Sequence, residues 1–262
     1  MEKVLIFDKA LWGLTIFLNG GLLVLLLYRK NHLIFPFFFV YVLSNFLQGF
    51  VLFESYRIWG FGSPVSSGIA WGTQGVVIFA RALAVAEICH CLLAKYRGIW
   101  SLAWRILAFT ATFVLLSSLA VARGSWQFAI LNSDRGMELA IASVIVVLFL
   151  FAHYYEVAVE PAVRTIAIGF FLYSCFLVLN NTILEVWLHR YSNLWNLLGT
   201  LAFLASLLLW NWALRGRLAE SAFEPAMLSD GIYQTAAPEI NNRLKALNKN
   251  LVHLLHAERK RS

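Results

Sequence analysis

The chain has 262 residues and a formal net charge of +7; 60% of its residues are hydrophobic, 15% aromatic and only 13% charged. Soluble domains carry about 25% charged residues, so this chain has too few to wet its own surface. That excludes a soluble enzyme, a disordered protein and a nucleic-acid-binding domain, and leaves an integral membrane protein lying almost wholly in the bilayer.

A helix that crosses the hydrocarbon needs about 20 mostly apolar residues. Seven runs qualify: 10–28, 33–54, 69–93, 99–121, 137–158, 163–188 and 193–214. Spanning backbone must satisfy its own hydrogen bonds, and the alternating pattern of barrel strands is missing, so the spans are read as helices. The expected fold is all-α: a polytopic integral membrane protein, a seven-transmembrane-helix bundle over residues 1–217, a linker at 218–237 and a short amphipathic cytoplasmic C-terminal helix at 238–262.

The first span follows Glu2 and Asp8, with no basic leader region and no small-residue cleavage site, and is expected to be retained. The second carries Asn45 and Gln48 and ends at Glu54. The third is the most polar, with Gln74, Arg81, Glu87 and His90. Ionisable groups in the hydrocarbon cost several kcal/mol and face the bundle interior or water, which makes these four, with Asn45, Gln48, Asn180 and Asn181, candidates for a ligand or ion pathway. Arg81 is too deep to reach the interface and needs an acidic or amide partner, expected from span two or six. It reads equally as a clamp between helices or as a ligand contact, and the paired asparagines read first as interhelical glue. Glu87, His90 and Cys91 stand at i, i+3 and i+4 and share a helix face. A local Glu87–His90 pair is the plainest expectation; proton or metal chemistry with His153 of span five is the alternative. Haem iron between His90 and His153 is the least favoured reading.

The break between spans five and six rests on Glu156, Glu160, Pro161 and Arg164, with Pro161 suited to begin a helix. Glu54, Glu138, Glu185 and His189 fall near span ends on the outer side, where they either rim an outward-opening pocket or, as the plainer expectation, are boundary residues meeting water and headgroups. The glycosylation pattern Asn180-Asn181-Thr182 lies within a span and is expected to stay unmodified. No lysine occurs in span seven, which argues against retinal; no other cofactor is specified. Cys89, Cys91 and Cys175 lie in apolar runs, so no disulfide framework is readable. Nucleotide-binding, serine-hydrolase and zinc-helix motifs are missing. Nine of the ten tryptophans, Trp210 among them, are read as an interfacial belt. The second and sixth spans share a Phe-Phe-x-Tyr start, at Phe38–Tyr41 and Phe170–Tyr173, with amides and a glutamate further on. The match would fit a parallel repeat, but the phenylalanine content is high and spans one and five show no similar match, so chance likeness is the favoured reading.

Lysine and arginine set the orientation. With the N-terminus outside, fourteen lie on the inner side and six outside; without the distal tail the balance is eight to six. The expected setting is a bacterial inner membrane, N-terminus outside and C-terminus cytoplasmic. In the tail, Ile240, Leu244, Leu247, Leu251 and Leu254 make a heptad-spaced apolar stripe among basic residues. It is expected to lie on anionic lipid, or to pair at 238–257 with a second copy or a cytoplasmic partner. Nucleic acid is not an expected partner. The leading functional expectation is a sensor or receptor-like module signalling through this helix. The alternatives are a small-solute or ion transporter, and a membrane redox or scaffold protein.

Overall fold

A computed structural model describes residues 2–60, 62–93, 97–122, 124–154, 159–186 and 192–216, with side chains placed for 10–60, 62–93, 99–122, 124–154, 159–179 and 197–216. The described residues form seven helices and no strand: α1 (Glu2–Tyr28), α2 (Pro36–Trp59), α3 (Pro64–Leu93), α4 (Arg97–Val121), α5 (Trp126–Tyr154), α6 (Pro161–Val186) and α7 (Ser192–Ala213). A 3-10 turn at Asn31–Leu33 joins α1 to α2. Six of the helices are long and apolar enough to cross a bilayer; the apolar part of α7, Leu197–Ala213, is shorter. The protein is a multi-pass helical membrane bundle.

Proline and glycine punctuate the chain. Pro36, Pro64 and Pro161 open α2, α3 and α6, where the missing N–H costs nothing and the fixed φ suits a helix start. Gly60 and Gly124, with φ of 78° and 88°, turn the chain after α2 and α4 through backbone conformations that side chains with a Cβ rarely adopt.

Six helices form a ring in the order α1, α2, α3, α5, α6, α7, closed by α1 packing on α7. α3 also reaches across to α6. Of the most apolar window of α3, 61% is buried within the bundle; of α4, which packs outside the ring against α3 and α5, none is. An apolar cleft of about 610 Å³, lined by residues such as Ala82, Ala111 and Met137, separates α4 from its two neighbours. Phe17, Phe79, Phe109 and Phe113 are all exposed on the outside. This is the normal state of large apolar side chains whose solvent is lipid.

The bundle has two ends. The first face carries the start of α1 and the α2–α3, α4–α5 and α6–α7 connections; the second face carries the other three and the end of α7. Near the second face, α7 is clasped on both sides. Trp210 is fully buried, and its indole Nε1 donates to the Ile166 carbonyl of α6 at 3.1 Å. Ser206 donates to the Gly169 carbonyl at 2.9 Å. Asn211 donates to the Leu18 carbonyl of α1 at 3.3 Å. Asn31, buried in the first connection, donates to the carbonyls of Leu214 and Gly216 at 3.4 and 3.0 Å. It thereby serves carbonyls at the end of α7 that have no partner within the helix.

Two expectations are corrected. Trp210 is not interfacial: it sits at the centre of an aromatic cluster, because its one N–H finds a carbonyl inside the bundle. α5 begins at Trp126 rather than near 137, because Asp134 and Arg135, which precede the apolar run, lie within the helix.

Gly169 lies directly against the Trp210 indole, and a Cβ there would collide with the ring. Gly169→Ala is expected to cost about 1–3 kcal/mol by overpacking, read as a lowered unfolding midpoint of the detergent-solubilised protein. Gly72→Ala, with open space at its Cβ, is expected to leave the midpoint unchanged.

Candidate functional site

The site is built around one buried cation. The Arg81 side chain is 3% exposed and near the middle of α3. A lone charge there would cost about 3 kcal/mol even on the mildest scale, so other helices must bring opposite charge to it. α5 does so with two carboxylates one turn apart. Glu138, fully buried, pairs with the Arg81 guanidinium, and Asp134 stands 3.7 Å from it. Two tyrosines complete the enclosure: the guanidinium carbon lies 5.9 Å from the Tyr41 ring centre on α2 and 5.2 Å from that of Tyr173 on α6. At these distances the negative faces of the rings attract the cation. The two tyrosines end the matched Phe-Phe-x-Tyr segments, which therefore approach Arg81 from different helices.

From this cluster a chain of amides runs toward the first face. Gln74 donates to Asp134 Oδ2 at 3.3 Å. Gln48 donates to Gln74 Oε1 at 3.2 Å and to Thr73 Oγ1 at 3.4 Å. Gln48 in turn lines a cavity of about 130 Å³ between α1, α2 and α7, together with Thr15, Asn19, Asn45 and Trp12. That volume holds several waters or one small solute. Asn19 and Asn45 donate to carbonyls one turn back, Thr15 at 2.9 Å and Tyr41 at 3.0 Å. They make the cavity wall polar while remaining tied to their own helices. A hydrogen-bonded path thus connects this cavity to a buried ion cluster.

Toward the second face the path stops. Phe38, Tyr41, Phe170 and Trp210 pack with ring centres 4.9–6.4 Å apart, and Ala84, Val85 and Ile88 of α3 are buried with them. Beyond this floor, Glu87 has a different task. Its carboxylate accepts the backbone N–H groups of Phe37 at 3.1 Å and Phe38 at 2.8 Å. Pro36 occupies the first position of α2, and Phe35 before it offers no side-chain cap. Glu87 therefore caps α2 from a neighbouring helix, satisfying two donors with no intrahelical partner. Its charge is favourable at the positive end of the α2 dipole.

The candidate residues separate accordingly. Arg81, Gln74 and Gln48 join one network, and Asn45 borders its cavity. Glu87 is engaged by the backbone of α2 rather than by His90. His90 is exposed and packs edge-on to Trp100, ring centres 4.8 Å apart. His153 lines a separate groove between α5 and α6. Among the described residues no group of three His, Cys, Asp or Glu side chains is placed to hold a metal ion. Glu54 is exposed and pairs with Arg57 at 3.2 Å, as a boundary residue does. Glu138 corrects the outer-rim reading: with α5 starting at Trp126 it lies well inside the helix, facing Arg81. The acidic partners of Arg81 come from α5, while α2 and α6, from which an acidic or amide partner is expected, contribute the rings of Tyr41 and Tyr173 instead. The side chains of Asn180, Asn181 and Glu185, all of His189, and the stripe Ile240, Leu244, Leu247, Leu251 and Leu254 lie outside the described residues.

Compared with known protein families, curated proteins and solved structures, the chain matches none. Its chemistry has to be read from its own side chains.

Asp134, Tyr41 and Tyr173 were not among the candidates. The signal for Asp134 is its i, i+4 spacing from Glu138, which puts both carboxylates on one helix face. Tyr41 and Tyr173 are marked by the repeated Phe-Phe-x-Tyr.

Arg81→Met removes one partner of a buried pair and is expected to destabilise the bundle by about 3–5 kcal/mol. Arg81→Met with Glu138→Met is expected to regain most of that loss, measured by reversible unfolding in detergent micelles. Glu87→Ala leaves two backbone donors without a partner, and each unsatisfied donor costs about 1–3 kcal/mol. Glu87→Gln, which keeps one acceptor oxygen, is expected to fall between Glu87→Ala and the native chain in the same measurement.

Proposed function

We propose that this chain is a receptor-like membrane module. A small polar molecule binds at the first face in the cavity between α1, α2 and α7. The Gln48–Gln74 relay carries its presence to the Arg81–Asp134–Glu138 cluster, and the C-terminal segment passes the change to a separate partner. The observation that carries this reading is a polar path that begins at a cavity and ends at an aromatic floor. A transporter needs polar groups continuing to the opposite face, whereas the carboxylate beyond the floor, Glu87, is engaged as a helix cap. A redox role for His90 and His153 is disfavoured by their separate surroundings.

A charge cluster suits a receptor because it is bistable. Two carboxylates compete for one guanidinium, and one of them also accepts from Gln74. A ligand that draws Gln48 away from Gln74 alters the hold on Asp134 and with it the balance between the two ion pairs. A ligand shifts such an equilibrium only by its differential affinity for the two arrangements.

The orientation proposed places the first face outside, in a bacterial inner membrane. Arg97, Arg105 and Arg164 on the inner side and Lys3, Lys9, Arg57 and Arg135 on the outer side fall within helices, which leaves the near-membrane balance of basic residues outside the described helices at five inside to two outside. The output contact proposed is the stripe Ile240, Leu244, Leu247, Leu251 and Leu254, on its heptad spacing alone.

The test combines three readouts on protein in lipid nanodiscs or proteoliposomes, using a panel of small amino acids, amines and sugars. One or more panel compounds are expected to raise the unfolding midpoint of the full chain and of a chain lacking residues 238–262, but not of Gln48→Leu. Crosslinking of the tail to a second copy or partner is expected to respond to the same compound in the full chain only. Movement of that compound across proteoliposomes by the truncated chain would overturn the receptor reading in favour of transport.

A further inference from the structure

The second-face ends of α5 and α6 enclose a groove of about 800 Å³ that the ion cluster does not explain. Among the described residues its polar lining is His153 and Arg164; its walls include Phe149, Val159, Ile168 and Phe171. His153 is in the last turn of α5 and Arg164 in the first turn of α6, so both stand at the membrane boundary. Phe149 lies one turn deeper on α5, and Ile168 and Phe171 lie one and two turns deeper on α6. The groove is therefore graded, with basic groups at its mouth and apolar groups along its depth.

Among the described residues neither basic group is in an ion pair. Among the described residues the ion pairs are Arg57–Glu54, Arg81–Asp134 and Arg81–Glu138. Glu160, half-buried one turn before Arg164, does not pair with it. His153 and Arg164 are both exposed. A soluble anion would use the mouth and leave the apolar walls idle; an uncharged lipophile would do the reverse. A phospholipid matches both in their vertical order, and basic pockets between membrane helices are suited to anionic headgroups.

We propose that this groove holds one anionic phospholipid, its phosphate between Arg164 and His153 and an acyl chain along Phe149, Ile168 and Phe171. On the proposed orientation the mouth opens to the inner leaflet, where anionic lipids concentrate. The proposal does not depend on the receptor reading, since it uses none of the residues of the first-face cavity. It does place a bound lipid on α5, the helix that supplies Asp134 and Glu138 to Arg81.

The test is native mass spectrometry of the full chain released from detergent, titrated with phosphatidylglycerol or phosphatidylcholine of the same acyl chains. The first phosphatidylglycerol is expected to bind about five-fold more tightly than phosphatidylcholine, since one arginine near a headgroup contributes roughly that factor. His153→Gln with Arg164→Gln is expected to bring the two lipids within about two-fold of each other, and Arg164→Lys to retain most of the preference. Arg29→Gln with Arg215→Gln, which removes two exposed basic groups at the same face, is expected to leave the preference intact. Unfolding midpoints of all variants without added lipid identify any that fail to fold, and Phe171→Ala, expected to weaken both lipids together, reads the acyl wall separately. Equal affinity for the two lipids in the native chain would overturn the proposal. Equal loss in the Arg29 and Arg215 variant would do so too, since it would mean diffuse attraction. Displacement of the bound lipid by millimolar inorganic phosphate would mark a free-phosphate site and overturn it as well.

Discussion

A guanidinium fixed near the middle of a transmembrane helix must be neutralised by its neighbours, and much of the bundle's arrangement follows from how this is done at Arg81. Both nearby carboxylates come from α5, so α5 must lie beside α3 although α4 intervenes in the chain. α4 is thereby left outside the ring, with no part of its apolar window buried. The tyrosines complete the argument from the other side. Tyr41 and Tyr173 bring α2 and α6 toward the same cation, and their preceding phenylalanines, Phe38 and Phe170, meet edge-on 5.9 Å apart. Helices in lipid gain little from apolar contact with one another, because the tails are as apolar as leucine. Polar and aromatic contacts specify the arrangement where hydrophobicity does not.

The two ends of the bundle use their polar groups differently. At the second face, Glu87 holds backbone N–H groups of α2 and Asn31 holds carbonyls at the end of α7. Such bonds tie side chains to backbone that has no other partner and leave little freedom to rearrange. On the first-face side of the aromatic floor, the contacts that run from Gln48 to Arg81 are between side chains: amide to amide, amide to carboxylate, carboxylate to guanidinium. These can exchange partners without breaking a helix. The chain is thus fixed where its helices are capped and adjustable where its cavity opens.

The fold was legible because the bilayer imposes a length on each apolar run and only α-helix or closed barrel satisfies the backbone there. The prolines at 36, 64 and 161 coincide with helix starts for the reason stated above. Hydropathy failed where charges are paired inside the membrane: Asp134 and Arg135 fall before the apolar run, which moved the start of α5 and left Glu138 beside a span end, at the outer rim. Pairing across helices is a tertiary fact, and nothing local distinguishes a carboxylate facing water from one facing a guanidinium. Trp210 was misplaced on similar grounds, since a tryptophan near a span end belongs at the interface unless a carbonyl inside awaits its N–H. Arg81 itself was legible, being too deep to reach water by its own length. Glu87 was noticed for its helical spacing with His90, but its partners are backbone groups of α2, invisible to any search for side-chain motifs.

Asn31 gives the structure a timetable. A membrane chain is made from its N-terminus, and its early segments are laid down before later ones exist. The turn that carries Asn31 is among the first connections synthesised, yet the carbonyls it serves, Leu214 and Gly216, come after α7. Asn31 is buried in the finished bundle, so its amide must stay hydrated or borrow another partner until α7 has been inserted. The ring is consequently sealed by α7, and the half-built bundle carries an open seam between α1 and α6 throughout synthesis. Any factor that guards nascent membrane helices would find that seam in every chain being made and in no chain that has been completed.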